Sequence, residues 1–162
     1  MSPSFCEPLR NPIHVIQVPD GPRLSVTDLD MAGQDHAGYD AVISLLDPGT
    51  ELEWSHPRHH VFKVSDWEEA GATAPDAGFV AALLGLDLSG AGRILIHCHA
   101  GYSRSPAAAM LLARKLGARI WDIEQGIDWD NADSNRRILA LGEACLGPGR
   151  ALQSLAVRRA GL

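Results

Sequence analysis

Between residues 97 and 106 the chain reads HCHAGYSRSP, directly after the apolar run Arg93-Ile94-Leu95-Ile96. Cys98 is flanked by His97 and His99, and Gly101, Arg104 and Ser105 follow at fixed offsets. A strand, a glycine-bearing turn and a helix start in succession form a ready anion site, because successive amides curl around one guest while the positive end of the helix dipole faces it. The amides of His99, Ala100, Gly101, Tyr102, Ser103 and Arg104 are the expected lining, and the Arg104 guanidinium offers a fork of donors to two oxygens of a tetrahedral dianion. Cys98 belongs on the floor of that cradle, where amide dipoles, the arginine and the helix end favour thiolate over thiol. A thiolate beside a bound dianion is a nucleophile for phosphoryl transfer to sulfur, with no metal required. His97 is expected to hold the loop from beneath, and the Ser105 hydroxyl to stabilise the sulfur when it becomes the leaving group.

HCHAGYSRS resembles the HCxxGxxR[ST] signature of the cysteine-dependent protein tyrosine phosphatases, with Cys98 and Arg104 at the C-x5-R spacing. The order of strands and helices is similar to that of the compact, dual-specificity-like and bacterial branch over residues 10–147. The resemblance implies a cofactor-free phosphomonoester hydrolase of tyrosine or dual specificity, with a phosphocysteine on Cys98 that water cleaves in a second step. Its substrates would be a phosphorylated protein or a small phosphomonoester. It also implies a proton donor about thirty residues before the cysteine. Asp66 stands there and is the expected general acid, then general base, with Asp47, Glu68, Glu69 and Asp76 in reserve. Trp67 follows Asp66, whereas the large tyrosine-specific enzymes place Trp-Pro before theirs. The loop positions hold no lysine, so the strongly basic pocket of phosphoinositide-directed relatives is missing.

Other residues admit other chemistry. His56, His59, His60, His97, Cys98 and His99 invite a metal, but their spacing is not a zinc pattern and a metal would occupy the nucleophile; none is expected. Arg58 with His59 and His60 is expected to form a modest positive rim. Asn135 and Gln125 either face the pocket and orient water or serve as a helix cap and an exposed helix residue. Two further function classes are a phosphate-binding module of the same fold without turnover and a rhodanese-like sulfurtransferase. Intact Cys98, Arg104, Ser105 and Asp66 speak against the first, and the extended C-x5-R-S match against the second.

The elements that must position these groups are legible in outline. Strands are expected at 13–18, 41–46, 60–64 and 93–97, the last apolar throughout, as befits a central strand covered on both faces. Residues 28–38 read as loop or a short irregular helix. The stretch 66–78, DWEEAGATAPDAG, has the composition of a mobile connection able to act as a lid. Helices are expected at 79–88, from Ser105 as N-cap with Pro106 at the first helical position to Gly117, at 119–126, and at 134–146 with Asp133 or Ser134 as cap. The fold class is therefore α/β: a single domain with a central mostly parallel sheet flanked by helices, phosphatase-like. Residues 148–162 follow a Gly-Pro-Gly break as a tail or short docked helix.

Length and composition set the bounds. A chain of 162 residues with 46% apolar content suits one core. Twenty acidic against 14 basic residues give a net charge of −6, which disfavours nucleic acid and anionic membrane as partners. Cys6, Cys98 and Cys145 are odd in number and far apart, arguing against a disulfide framework and for a reducing, cytoplasmic setting. Residues 1–12, with early prolines, are expected along the surface, and no segment approaches the ~18 apolar residues of a membrane span. The sequence leaves the oligomeric state open.

Overall fold

The structure, a computed structural model, describes residues 11–161; Cys6 and most of the expected surface stretch 1–12 lie outside that range. Five strands form one sheet: β1 (His14–Gln17), β2 (Arg23–Thr27), β3 (Ala41–Leu46), β4 (His59–Lys63) and β5 (Arg93–His97). The order is β1-β2-β5-β3-β4, with β1 antiparallel to β2 and all other pairs parallel. β5 is therefore central, between β2 and β3, as its uninterrupted apolar sequence requires.

Alternate residues of the central strands divide the core. Ile94 and Ile96 of β5, with Ala41, Ile43 and Leu45 of β3, join the larger apolar cluster, while Leu95 and Val42 meet Ala32, Tyr39 and Trp54 on the opposite face. The larger face is covered by α2 (Ala77–Leu84), α3 (Arg104–Lys115), α4 (Ile120–Gly126), α5 (Arg136–Leu146) and α6 (Ala151–Arg159). The small face carries α1 (Leu29–Asp35) and the 3-10 turn His36–Gly38. Ala107, Ala108 and Ala109 are fully buried, and α5 comes so close to α3 that a Cβ on Gly142 would lie 2.2 Å from Leu111 Cδ1.

The structure corrects some local expectations and decides between the alternatives left in others. β2 was not anticipated: RLSVT has only two aliphatic residues, and its strand character comes from pairing with β1 and β5. Of the two readings of residues 28–38 the short helix holds: α1 is capped by the Asp28 carboxylate, which accepts Met31 N at 2.8 Å, and is followed by the 3-10 turn His36–Gly38. α2 starts earlier and ends sooner than 79–88, with Asp76 accepting Phe79 N at its start and Gly85 at its C-cap. The cap of α5 is Asn135, not Asp133 or Ser134; its Oδ1 accepts Ile138 N at 2.9 Å. Residues 151–159 form α6, with Leu152 and Leu155 fully buried and Leu152 N and Gln153 N donating to the buried Glu143 carboxylate. Among the described residues no helix is long and apolar enough to cross a membrane.

Candidate active site

β5 ends at His97, and residues 98–103 turn into α3, whose first residue is Arg104. The carbonyls of this turn are tied outward. Cys98 O lies 3.0 Å from His97 Nδ1, His99 O accepts Leu29 N at 2.9 Å, and Gly101 O lies 3.3 Å from His14 Nε2. Tyr102 O accepts Asp133 N at 2.9 Å and Ser103 O accepts Asn135 N at 3.1 Å. All peptides described are trans, so each carbonyl and the N–H that follows it point in opposite directions. The amides of His99, Ala100, Tyr102, Ser103 and Arg104 are thereby turned inward, and Gly101 N donates to Cys98 Sγ at 3.2 Å. Gly101 itself has φ +71°, and a Cβ there would lie 2.7 Å from Ile13 Cδ1 and 2.8 Å from the Thr27 carbonyl carbon. Only glycine serves at a left-handed position so closely backed by the strand below.

Two buried histidines fix this turn. His14 accepts Asp128 N on Nδ1 at 2.9 Å, so its proton sits on Nε2 and is donated to Gly101 O; burial pushes its pKa down, keeping it neutral. His97, fully buried, is pushed down to about 4 by burial. Its neutral ring donates from Nδ1 to Cys98 O, so Nε2 must accept, and the Ser44 hydroxyl 2.6 Å away is the donor. Ser44 Oγ in turn accepts from His59 Nε2 at 2.7 Å, and His59 stacks on Trp54 with ring centroids 5.1 Å apart. A directed chain, His59 to Ser44 to His97 to the Cys98 carbonyl, thus runs from β4 across β3 to the turn.

Cys98 is 2% exposed, with its Sγ 3.0 Å from Ser105 Oγ. Ser105 is not the helix cap. α3 begins two residues earlier than expected, behind Ser103, which makes no side-chain cap bond, and the Ser105 hydroxyl is left for the sulfur. Arg104 is buried, and its Nη1 donates to Asp47 Oδ1 at 2.8 Å and to Val64 O at 2.7 Å. With Nη1 fixed from behind, the Nε–Nη2 edge remains as the fork for a second ligand. The His99 ring leans away toward the β3–β4 loop, 3.5 Å from Asp47 Oδ2 and 3.4 Å from Thr50 Oγ1, so it is His99's amide that faces the cradle.

Asp66 lies in the irregular connection after β4. Its Oδ1 accepts Ser103 Oγ at 2.7 Å and Asn135 Nδ2 at 2.8 Å, and neither bond engages Oδ2. Ser103 belongs to the turn, so the carboxyl group is attached to the rim of the cradle. The reserve carboxylates are occupied elsewhere: Asp47 on Arg104, Asp76 at the start of α2, and Glu68 on Arg136 N at 2.6 Å, while Glu69 is exposed. Trp67 and Tyr102, the sequence neighbours of the touching pair Asp66 and Ser103, are 56% and 46% exposed, and the Trp67 ring lies over Gly71 of its own connection.

Asn135 serves as the cap considered for it, through Oδ1 on α5, and its Nδ2 also donates to Asp66 Oδ1. Gln125 is an exposed residue of α4. The expected rim of Arg58, His59 and His60 is not at the site. Arg58 precedes β4 at the edge where the parallel strands begin and donates to Asp87 O, whereas the cysteine turn follows their ends. Among the described residues no group of three or more His, Cys, Asp or Glu could hold a metal ion. His14 and Leu29 were missed as supports of the turn; they lie 87 and about 70 residues from their partners, and no local pattern announces such contacts.

The fold and this turn together define an α/β protein built like the cysteine-dependent phosphatases. The described chain matches the solved structure of DUSP15 with a TM-score of 0.53 at 17% identity, covering 91% of this chain and 95% of that one. A mouse structure described as a dual specificity phosphatase complexed with zinc tungstate matches with a TM-score of 0.50 at 17% identity, over 96% of each chain. No family model matches the sequence, and no curated protein does. The likeness is therefore one of fold, and the chemistry rests on the residues themselves.

Proposed function

We propose that this chain is a metal-independent phosphomonoester hydrolase that works through a phosphocysteine on Cys98. The observation that carries this reading is the arrangement around one sulfur: inward amides from His99 to Arg104, Ser105 3.0 Å away, and Asp66 attached to the same turn through Ser103. A phosphate dianion seated against those amides and the free edge of Arg104 presents phosphorus to the thiolate. Sulfur attacks phosphorus and the ester P–O bond breaks, with the Asp66 Oδ2 proton passing to the departing oxygen. Water then attacks phosphorus and gives a proton to the Asp66 carboxylate. The S–P bond breaks, and the Ser105 hydroxyl donates to the departing thiolate.

The exposed rings of Trp67 and Tyr102 favour an aryl ester, phosphotyrosine in a protein, over a small polar phosphate. The test is turnover of p-nitrophenyl phosphate and a phosphotyrosine peptide by wild type and Cys98→Ser, with thiosulfate as a third substrate. The reading expects both phosphate esters to be hydrolysed, insensitive to chelators and lost in Cys98→Ser. Thiosulfate turnover without ester hydrolysis would assign the site to sulfur transfer. Phosphopeptide binding without turnover would make it a binding module.

A further inference from the structure

A cleft of about 410 Å³ lies between α5 and α6, lined by Arg136, Arg137, Arg150, Leu139, Val157 and Glu68 among others. In a chain of net charge −6, three guanidinium groups against one carboxylate reverse the local sign. None of the three takes part in the ion pairs among the described residues; Arg137 donates to Pro75 O and Arg150 to Gln153 Oε1. The floor is apolar, with Leu139 buried and Val157 41% exposed. Glu68 also lines the adjoining depression formed by Asp66, Trp67 and Glu69, so the cleft opens beside the candidate acid. Only Trp67 separates Glu68 from Asp66 along the chain, a span of at most about 7 Å.

We propose that this cleft binds an acidic segment flanking the phosphorylated residue of a protein substrate, an inference that rests on the hydrolase reading above. An extended peptide advancing about 3.3 Å per residue reaches the arginines within a few residues of a phosphate held over Cys98. The exposed carboxylates of Asp66, Glu68 and Glu69 select against a uniform polyanion such as nucleic acid or an anionic membrane. A peptide can cross them with neutral residues and still present acids to Arg136, Arg137 and Arg150. The apolar floor accommodates an aliphatic side chain between those acids.

The experiment compares three phosphotyrosine peptides, one with neutral flanks and two with glutamates three to five residues before or after the phosphotyrosine, alongside p-nitrophenyl phosphate. Wild type is expected to hydrolyse one of the acidic peptides with kcat/KM about tenfold above the neutral peptide, an advantage that shrinks with salt. Arg136→Glu/Arg150→Glu should erase that advantage while changing p-nitrophenyl phosphate turnover less than about twofold. Equal rates for all peptides in wild type would overturn the proposal, as would a parallel loss on the aryl phosphate in the variant. So would binding of phosphatidylserine vesicles through these arginines without peptide selectivity. If wild type hydrolyses none of the esters, the hydrolase reading fails first. The cleft is then tested by fluorescence anisotropy, where tighter binding of an acidic phosphopeptide, weakened by the double charge reversal, supports it and indifference to flanking charge overturns it.

Discussion

The turn that holds Cys98 and the connection that holds Asp66 touch each other, yet they are built by different means. The turn is fixed through its backbone: five of its carbonyls are bonded outward to His97, Leu29, His14, Asp133 and Asn135, and Gly101 packs directly on β2. The connection from Val64 to Asp76 has no regular element, and Asp66 is placed by two side chains, Ser103 and Asn135. Further contacts, Ser65 N to Thr73 O at 2.9 Å and Arg136 N to Glu68, hold the rest of it. A thiol whose cradle is backbone demands a rigid frame, whereas a carboxyl group placed by side chains can be displaced by a single substitution without loss of the fold.

The largest expected effect tests the acid side of that contrast. Asp66→Ala should lower kcat about a hundredfold or more on an alkyl phosphate and much less on p-nitrophenyl phosphate, whose leaving oxygen needs little protonation. Equal losses on both esters would assign the proton to another group.

The turn side is tested by pH. Burial holds His97 at about 4 in the folded protein against 6.5 in the unfolded chain. Between those values the unfolded chain takes up a proton that the folded protein refuses, so stability is lost as pH falls from 6.5 to 4, by about 3 kcal/mol, and is level above 6.5. His14, His59 and His60, lowered by burial as well, act in the same direction. Urea midpoints measured from pH 7 to pH 4 should fall accordingly, and His97→Asn should flatten the slope. A midpoint that does not move over this range would contradict the assignment of a buried neutral imidazole.

Gly101→Ala should cost about 2 kcal/mol of stability, from a left-handed φ and a Cβ pressed on Thr27, and should lower turnover of every ester alike. Thermal unfolding checks the first effect; a variant as stable as wild type would show that the turn is less constrained than its contacts require. Asn135→Ser, the smallest change, keeps a capping oxygen for α5 and removes the amide donor to Asp66. It should lower kcat about tenfold on alkyl phosphates with the melting temperature nearly unchanged, and a loss of stability without a loss of rate would make Asn135 only a cap.

The same contrast explains what the sequence makes visible. The strand 93–97, the glycine, the arginine and the following helix are local features, so the turn and its chemistry are legible from HCHAGYSRSP alone. Asp66 was placed by its distance from Cys98, a signal that says nothing of Asn135, whose side chain arrives from 69 residues away. β2 escaped notice because its strand character lies in its neighbours. Ser105 reads both as a cap before proline and as a partner of the Cys98 sulfur; only the contact with sulfur is found in the folded protein, because α3 starts at Arg104. Arg58 reads as part of a rim only while the strand order is unknown.

The most direct measurement is mass spectrometry of the protein quenched after mixing with p-nitrophenyl phosphate. A phosphoryl group carried on the peptide containing Cys98, and absent from Cys98→Ser, is the predicted result. Steady turnover with the phosphoryl group on another residue, or undiminished turnover by Cys98→Ser, would contradict it.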